Sequence, residues 1–205
     1  MYQYLDEQLA KAKKRLRTEF NRLSVMGFDE LNVVNTRKIT KDMFDRLLSD
    51  NEKMYLKVAI KAYSSAGGNA GQLDEEWLVG VLAMYNLVTG YLYKSEAERK
   101  RLRLNEQILT AREYSDRAMY NDSLRKSANL WYTQTAQYGI SVVDEATLKA
   151  YRDMGVKEVQ WVAMDDGKEC EDCASRNGKI YRITEVPEKS HYGCRCYVKP
   201  VTKRE

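Results

Sequence analysis

All four cysteines and the single histidine of this 205-residue chain fall between positions 170 and 196. Their pattern is Cys170-x2-Cys173, a gap of 17 residues, then His191-x2-Cys194-x-Cys196. Thiolate and imidazole are the ligands of tetrahedral zinc, and two close pairs separated by about 15 to 20 residues have the spacing of structural zinc sites. A two-residue gap lets one tight turn aim both side chains at one ion. The intervening residues, which include the strand-like "KIYRI", carry the chain back to supply the second pair. Gly178 and Gly193 offer the backbone freedom such a crossing needs.

Five residues compete for four places. Cys170 and Cys173 form the first pair. His191 with Cys194 repeats the two-residue gap and is the preferred second pair. Cys196 either replaces Cys194 or completes an all-cysteine set with His191 nearby, and spacing does not choose between these. If 194–196 is extended, Cys194 and Cys196 point one way and Arg195 the other.

Other chemistries fit less well. A redox C-x-x-C wants a thioredoxin-like βαβ setting, whereas "DGKECEDCASRNG" reads as turns. Disulfides need an oxidising compartment. A catalytic zinc needs an open position and a general base, and the only histidine sits in the cluster. Asp165 and Asp166 are the remaining candidates for a metal-dependent nuclease, but paired acids beside a turn are ordinarily solvated. The expected role is a closed, structural Zn2+ with no catalytic residue. Structural zinc supplies about 10 to 16 kcal/mol of apparent binding free energy, enough to fold a unit with a small core.

Charge is divided around the cluster. Residues 165–173 hold five acids and one lysine, while 176–205 hold eight Lys/Arg against three Glu. Mutual neutralisation accounts for this; so does a basic surface in which Lys199, Lys203 and Arg204 are candidate phosphate contacts.

The only prolines are Pro187 and Pro200, and glycine is sparse before them apart from "AGGNAG" at 66–71. That is the composition of long helices. Tyr2, Leu5, Leu9, Ala12, Leu16, Phe20 and Leu23 recur at steps of three and four, one apolar stripe on a helix. Lys11, Lys13, Lys14, Arg15 and Arg17 beside it read as a solvated face, with a nucleic-acid or partner face as the alternative. A second helix is expected over about 40–64, carrying Met43, Leu47, Met54 and Val58. Asp74 is placed to cap a third. The apolar stretch 77–93 is short of the roughly 20 residues a membrane span needs and reads as a core helix. No secretory signal is visible at the N-terminus, so a reducing cytosol is expected.

A further helix-prone segment runs from Ser95, with Glu98 completing a capping box, to about Tyr138. Gly139 reads as its stop and "ISVV" as a short strand. Asp144 then caps a helix to Met154 that ends at Gly155. "VKEVQWVAM" alternates as a half-buried strand, and "GKIYRI" is another. The expected fold is α+β: a long-helix body over 1–139, then a small zinc-stapled α+β module over 140–205.

The stretch "DMGVKEVQW", "DDGKECEDCASRNGKIY" and "VPEKSHYGCRCYVKP" resembles the C-terminal module of the Mu-F-like phage head morphogenesis family, the minor head or minor capsid proteins of tailed phages. The resemblance covers roughly 130–200. Tyr192-Gly193 stands where that family often has Pro-Asn, which leaves the Cys/His pattern intact. The resemblance implies a virion protein that assembles in the host cytoplasm. It implies partnership with the portal and with capsid or scaffold proteins in the head interior, and an influence on packaged DNA. Neither a membrane nor a small-molecule substrate is expected among its partners. A zinc-stabilised DNA-binding module is the alternative function, and a nuclease or transferase the third.

Overall fold

The computed structural model describes residues 2–88, 93–164, 169–191 and 193–201, without the side chains of 82–88 and 93–97. Six α-helices and three strands occur among them: α1 (Gln3–Ser24), α2 (Val33–Ser65), α3 (Glu75–Val88), α4 (Tyr93–Glu113), α5 (Arg117–Asp153), β1 (Glu158–Val162), α6 (Glu171–Arg176), β2 (Ile180–Arg182) and β3 (Tyr197–Pro200). The fold is α+β, mostly helical, with one small antiparallel sheet. The chain divides into two compact units, one of Asp6–Leu56 with Glu76–Ala136, the other of Met1–Leu5, Lys57–Glu75 and Gln137–Glu205.

The first unit is helical. Leu16, Phe20 and Leu23 of α1 pack with Met43, Phe44 and Leu47 of α2, Leu104, Ile108 and Ala111 of α4, and Tyr120, Leu124 and Trp131 of α5. Each large apolar side chain buried this way contributes about 1.5 to 3 kcal/mol. Phe44 meets Trp131 edge-on at 5.0 Å between centroids. Two buried polar pairs bridge helices of the unit: Thr40 donates to Asn105 at 2.7 Å and Asn51 to Thr135 at 3.0 Å. The α1 stripe from Tyr2 to Leu23 is buried at all seven expected positions.

Helix boundaries depart from expectation where the cap is not the residue the pattern favours. α2 begins at Val33 rather than near 40, because Asn32 caps it, accepting from Asn35 N–H at 3.0 Å. The segment expected to run from Ser95 to Tyr138 breaks at Tyr114–Asp116. Ser115 adopts φ 51°, and Asp116 N–H bonds Ala111 O at 2.8 Å while Ser115 N–H bonds Arg112 O at 3.0 Å. This is a Schellman stop made with serine instead of glycine. Asp116 then caps α5, accepting from Met119 N–H at 2.9 Å. Ser95 lies inside α4, so it does not start that helix, and Glu98 pairs with Arg101. α3 does begin directly after Asp74. Of the apolar stretch 77–93, positions 89–92 lie outside the described residues. No described helix is long and apolar enough to cross a membrane.

In the second unit, the expected stop at Gly139 and strand at Ile140–Val143 are both replaced by helix: α5 continues to Asp153. Gly139 serves close approach, since a Cβ there would lie 2.6 Å from Leu5 Cδ1. Val143, Ala146, Ala150 and Tyr151 are buried at helical spacing, so tertiary packing overrides the β-branched run. Asp144 therefore sits within α5 and is not a cap. The helix ends as expected at Gly155, φ 74°, where Val156 N–H reaches Tyr151 O at 2.9 Å.

β1 is the centre of a sheet ordered β2-β1-β3, antiparallel on both sides. Val159 lies opposite Tyr181 and Pro200, and Trp161 opposite Val198. β1 alternates as a half-buried strand should, with Val159 and Trp161 inward. Its inner face joins Tyr151, Ile183 and Val198 in a small core whose other members are Cys173, Cys194 and Cys196.

Candidate metal centre

Cys170 and Cys173 are placed by a helix, where the sequence suggested only turns. Cys170 is the N-cap of α6, with extended backbone at φ −85°, ψ 161°, and its sulfur accepts from Cys173 N–H at 3.4 Å. Glu171 and Asp172 occupy the first turn, where the helix dipole favours acids. The two-residue gap thus places both sulfurs at one helix end. Arg176, in the last turn of α6, stacks on Trp161 and donates to Glu188 O at 2.6 Å, which holds the loop leading to Ser190 and His191.

The other ligands come from the turn before β3. Gly193, φ 77°, allows the chain to fold between His191 and Cys194. Gly193 N–H donates to Gln137 Oε1 of α5 at 2.6 Å, anchoring the turn. Cys194 and Cys196 are both buried.

Cys173 is common to two groupings. Its sulfur lies 3.7 Å from His191 Nε2 and 3.5 Å from Cys194 Sγ. Cys170, Cys173 and His191 form one set, and Cys173, Cys194 and Cys196 another, with ligand atoms in each set within 4.8 Å of one another. Zinc bond lengths of about 2.3 Å to sulfur and 2.0 to 2.1 Å to nitrogen imply tetrahedral edges of about 3.8 Å (S···S) and 3.5 Å (S···N). The two separations around Cys173 lie within about 0.3 Å of those edges. They are far beyond a bonded S–S distance of about 2.05 Å, and all four cysteines are free. The donor set therefore fits a soft-ligand metal ion.

The thiols differ in their electrostatic surroundings. The Ser190 hydroxyl, 3.4 Å from Cys170 Sγ, together with the Cys173 N–H, brings the Cys170 thiol down to about 7. Burial, and then crowding by the other thiols, pushes Cys173 up, and burial also raises Cys194. A bound dication would compensate those buried thiolates.

Lys199 is exposed on β3. Lys203 and Arg204, the other expected phosphate contacts, lie outside the described residues, as do Asp165 and Asp166. Several residues around the cluster carried no signal in the sequence. Ser190, Gln137 and Tyr2 are polar or aromatic side chains of ordinary type, and only the fold brings them to the ligands.

Residues 94–199 match the family of Phage Mu protein F like proteins. The chain belongs to that family. Membership places it among phage head morphogenesis proteins. No curated protein and no solved structure matches it. The Mu F-like region takes in all five candidate ligands and the sheet beneath them. It also extends further towards the N-terminus than the Cys/His motif alone suggested, through α5 and nearly all of α4.

Proposed function

We propose that this Mu F-like protein is a structural minor head protein of a tailed phage. In this reading it is made in the host cytoplasm, joins the portal and the capsid interior during head assembly, and influences the packaged DNA. Residues 1–139 act as the helical body and 140–205 as the module stapled by Zn2+. Cys170 and Cys173 supply two ligands, and two of His191, Cys194 and Cys196 complete the set.

One observation carries the reading: the family match spans the Cys/His cluster, and the cluster's thiols belong to the core of their unit. A metal held there stabilises the fold directly, because the site forms only when α6 and the turn before β3 come together. The only histidine places its Nε2 3.7 Å from Cys173 Sγ, within reach of the cluster.

The test is co-expression with the portal, scaffold and major capsid proteins of the same phage. Recovery of the protein in purified procapsids, with about one zinc per chain by elemental analysis, supports the proposal. Procapsids of normal composition that exclude the protein overturn it.

A second reading, DNA binding, is favoured by α1. Lys11, Lys14 and Arg17 are exposed at steps of three along one face, whereas Arg15 and Arg22 are engaged with Asp50 and Glu19. That reading requires an affinity for duplex DNA that falls steeply with salt and weakens when the three cations are neutralised.

A further inference from the structure

The segment 189–196 supplies three of the five candidate ligands, and its described residues form no strand or helix. Among its described residues, the turn is closed by a backbone bond from Cys194 N–H to His191 O at 3.4 Å. Something outside the segment must fix its geometry. Gln137 holds Gly193, as described. Tyr2 is another outside support.

Tyr2 is 5% exposed. Its ring faces two cations of the segment, Lys189 Nζ at 5.2 Å and Arg195 Cζ at 5.0 Å from the centroid. Lys189 Nζ also donates to the Tyr2 hydroxyl at 2.7 Å and pairs with Asp144 of α5 at 2.6 Å. The hydroxyl in turn donates to Asp144 Oδ1 at 2.7 Å and lies 3.3 Å from Cys196 O. One O–H cannot serve both acceptors fully, so Asp144 takes the main bond and the Cys196 carbonyl a weaker share. One side chain thus touches the residue two before His191, the residue between Cys194 and Cys196, and Cys196 itself.

We propose that Tyr2 is a positioning residue for the metal-binding turn. Docking of the first turn of α1 and loading of the metal then reinforce each other. The proposal rests on the zinc reading above. The coupling is reciprocal: whatever factor Tyr2 contributes to metal retention, the metal returns to the docking of Tyr2. Supporting partners of metal ligands typically change affinity by about 10- to 100-fold.

The experiment uses the full chain loaded with zinc and follows zinc transfer to an excess of a chromogenic chelator. Y2A should release zinc about tenfold faster or more. Y2F keeps the ring beside the two cations but loses the hydroxyl, and should fall between Y2A and the parent. Arg195→Ala, which removes one face of the clasp without opening a hole in the core, should also speed release, and it carries the test if Y2A does not fold. Leu124→Ala, in the other unit, should lower stability and leave the release rate unchanged. In the unsubstituted chain, zinc removal should accelerate amide exchange at residues 7–10, whose N–H groups close the first turn of α1. Zinc bound with equal release rates in the parent, Y2F and R195A overturns the positioning role alone. A chain that binds no zinc overturns the metal reading and the coupling with it.

Discussion

Cys170 caps the helix that carries Cys173: its sulfur accepts the Cys173 N–H at 3.4 Å, so the first candidate ligand of the pair orients the second. Cap and ligand are separable. Serine is an excellent N-cap and a poor zinc ligand. Cys170→Ser should keep α6 and lose the metal, whereas Cys170→Ala loses both, with about 1 kcal/mol of further destabilisation from the missing cap. Elemental analysis reads the first difference and denaturant titration of the metal-free proteins the second. Full zinc occupancy in Cys170→Ser would remove Cys170 from the ligand set.

Ser115 holds a left-handed conformation at the α4–α5 junction, φ 51°. A non-glycine residue there costs about 1 kcal/mol or more. Ser115→Gly should raise the unfolding free energy by about 0.5 to 1 kcal/mol, because the relief exceeds the added chain entropy of glycine. Equilibrium unfolding in urea measures it, and a lower midpoint would show that the serine hydroxyl matters more than the backbone.

Gly139→Ala places a methyl 2.6 Å from Leu5 Cδ1. Overpacking costs about 1 to 3 kcal/mol, partly offset by the roughly 1 kcal/mol that alanine gains in helix propensity. The expected net loss is about 1 kcal/mol. Combined with Leu5→Ala, the penalty of the alanine should vanish, giving a non-additive double-mutant cycle. Additive effects would mean that Leu5 moves aside freely.

Asp153 is held below its usual carboxylate range by the hydrogen bond from Lys149 and, secondarily, that from Tyr63 at 2.7 Å. Its folded pKa is depressed, so the stability it contributes is present above the unfolded value of about 3.9 and is lost as pH falls through the folded value. Because the pair is partly exposed, the contribution is about 0.2 to 1 kcal/mol. Asp153→Asn should lower stability by that amount at pH 7 and flatten the loss below pH 4. Urea unfolding at pH 3 to 7 tests this; parallel curves for the two proteins would contradict it.

The parts legible in the sequence were those written in local spacing. The α1 stripe from Tyr2 to Leu23 follows the helical period, Val159 and Trp161 the strand period, and the five Cys/His positions show their common purpose by clustering. What was not legible depended on distant partners or on an unexpected residue filling a familiar role. Asn32 starts α2 earlier than the apolar pattern does, and Ser115 ends α4 where a glycine would have announced the break. Gly139 reads locally as a stop, yet it makes room for Leu5 inside a continuous helix. The residues that surround the candidate metal cluster, Tyr2, Gln137, Asp144 and Ser190, lie far apart along the chain. No window of sequence holds them together, so no local pattern could expose their joint role.

Tyr2 and Cys196, joined through the phenol and a backbone carbonyl, are 194 positions apart. A ribosome adding about 5 to 20 residues per second needs about 10 to 40 s to make the second after the first. Throughout that interval the aromatic ring at position 2 is without the partners that will bury it. The nascent chain must therefore keep α1 soluble by other means until β3 emerges, and a metal held by the Cys/His cluster could not be fully clasped before then.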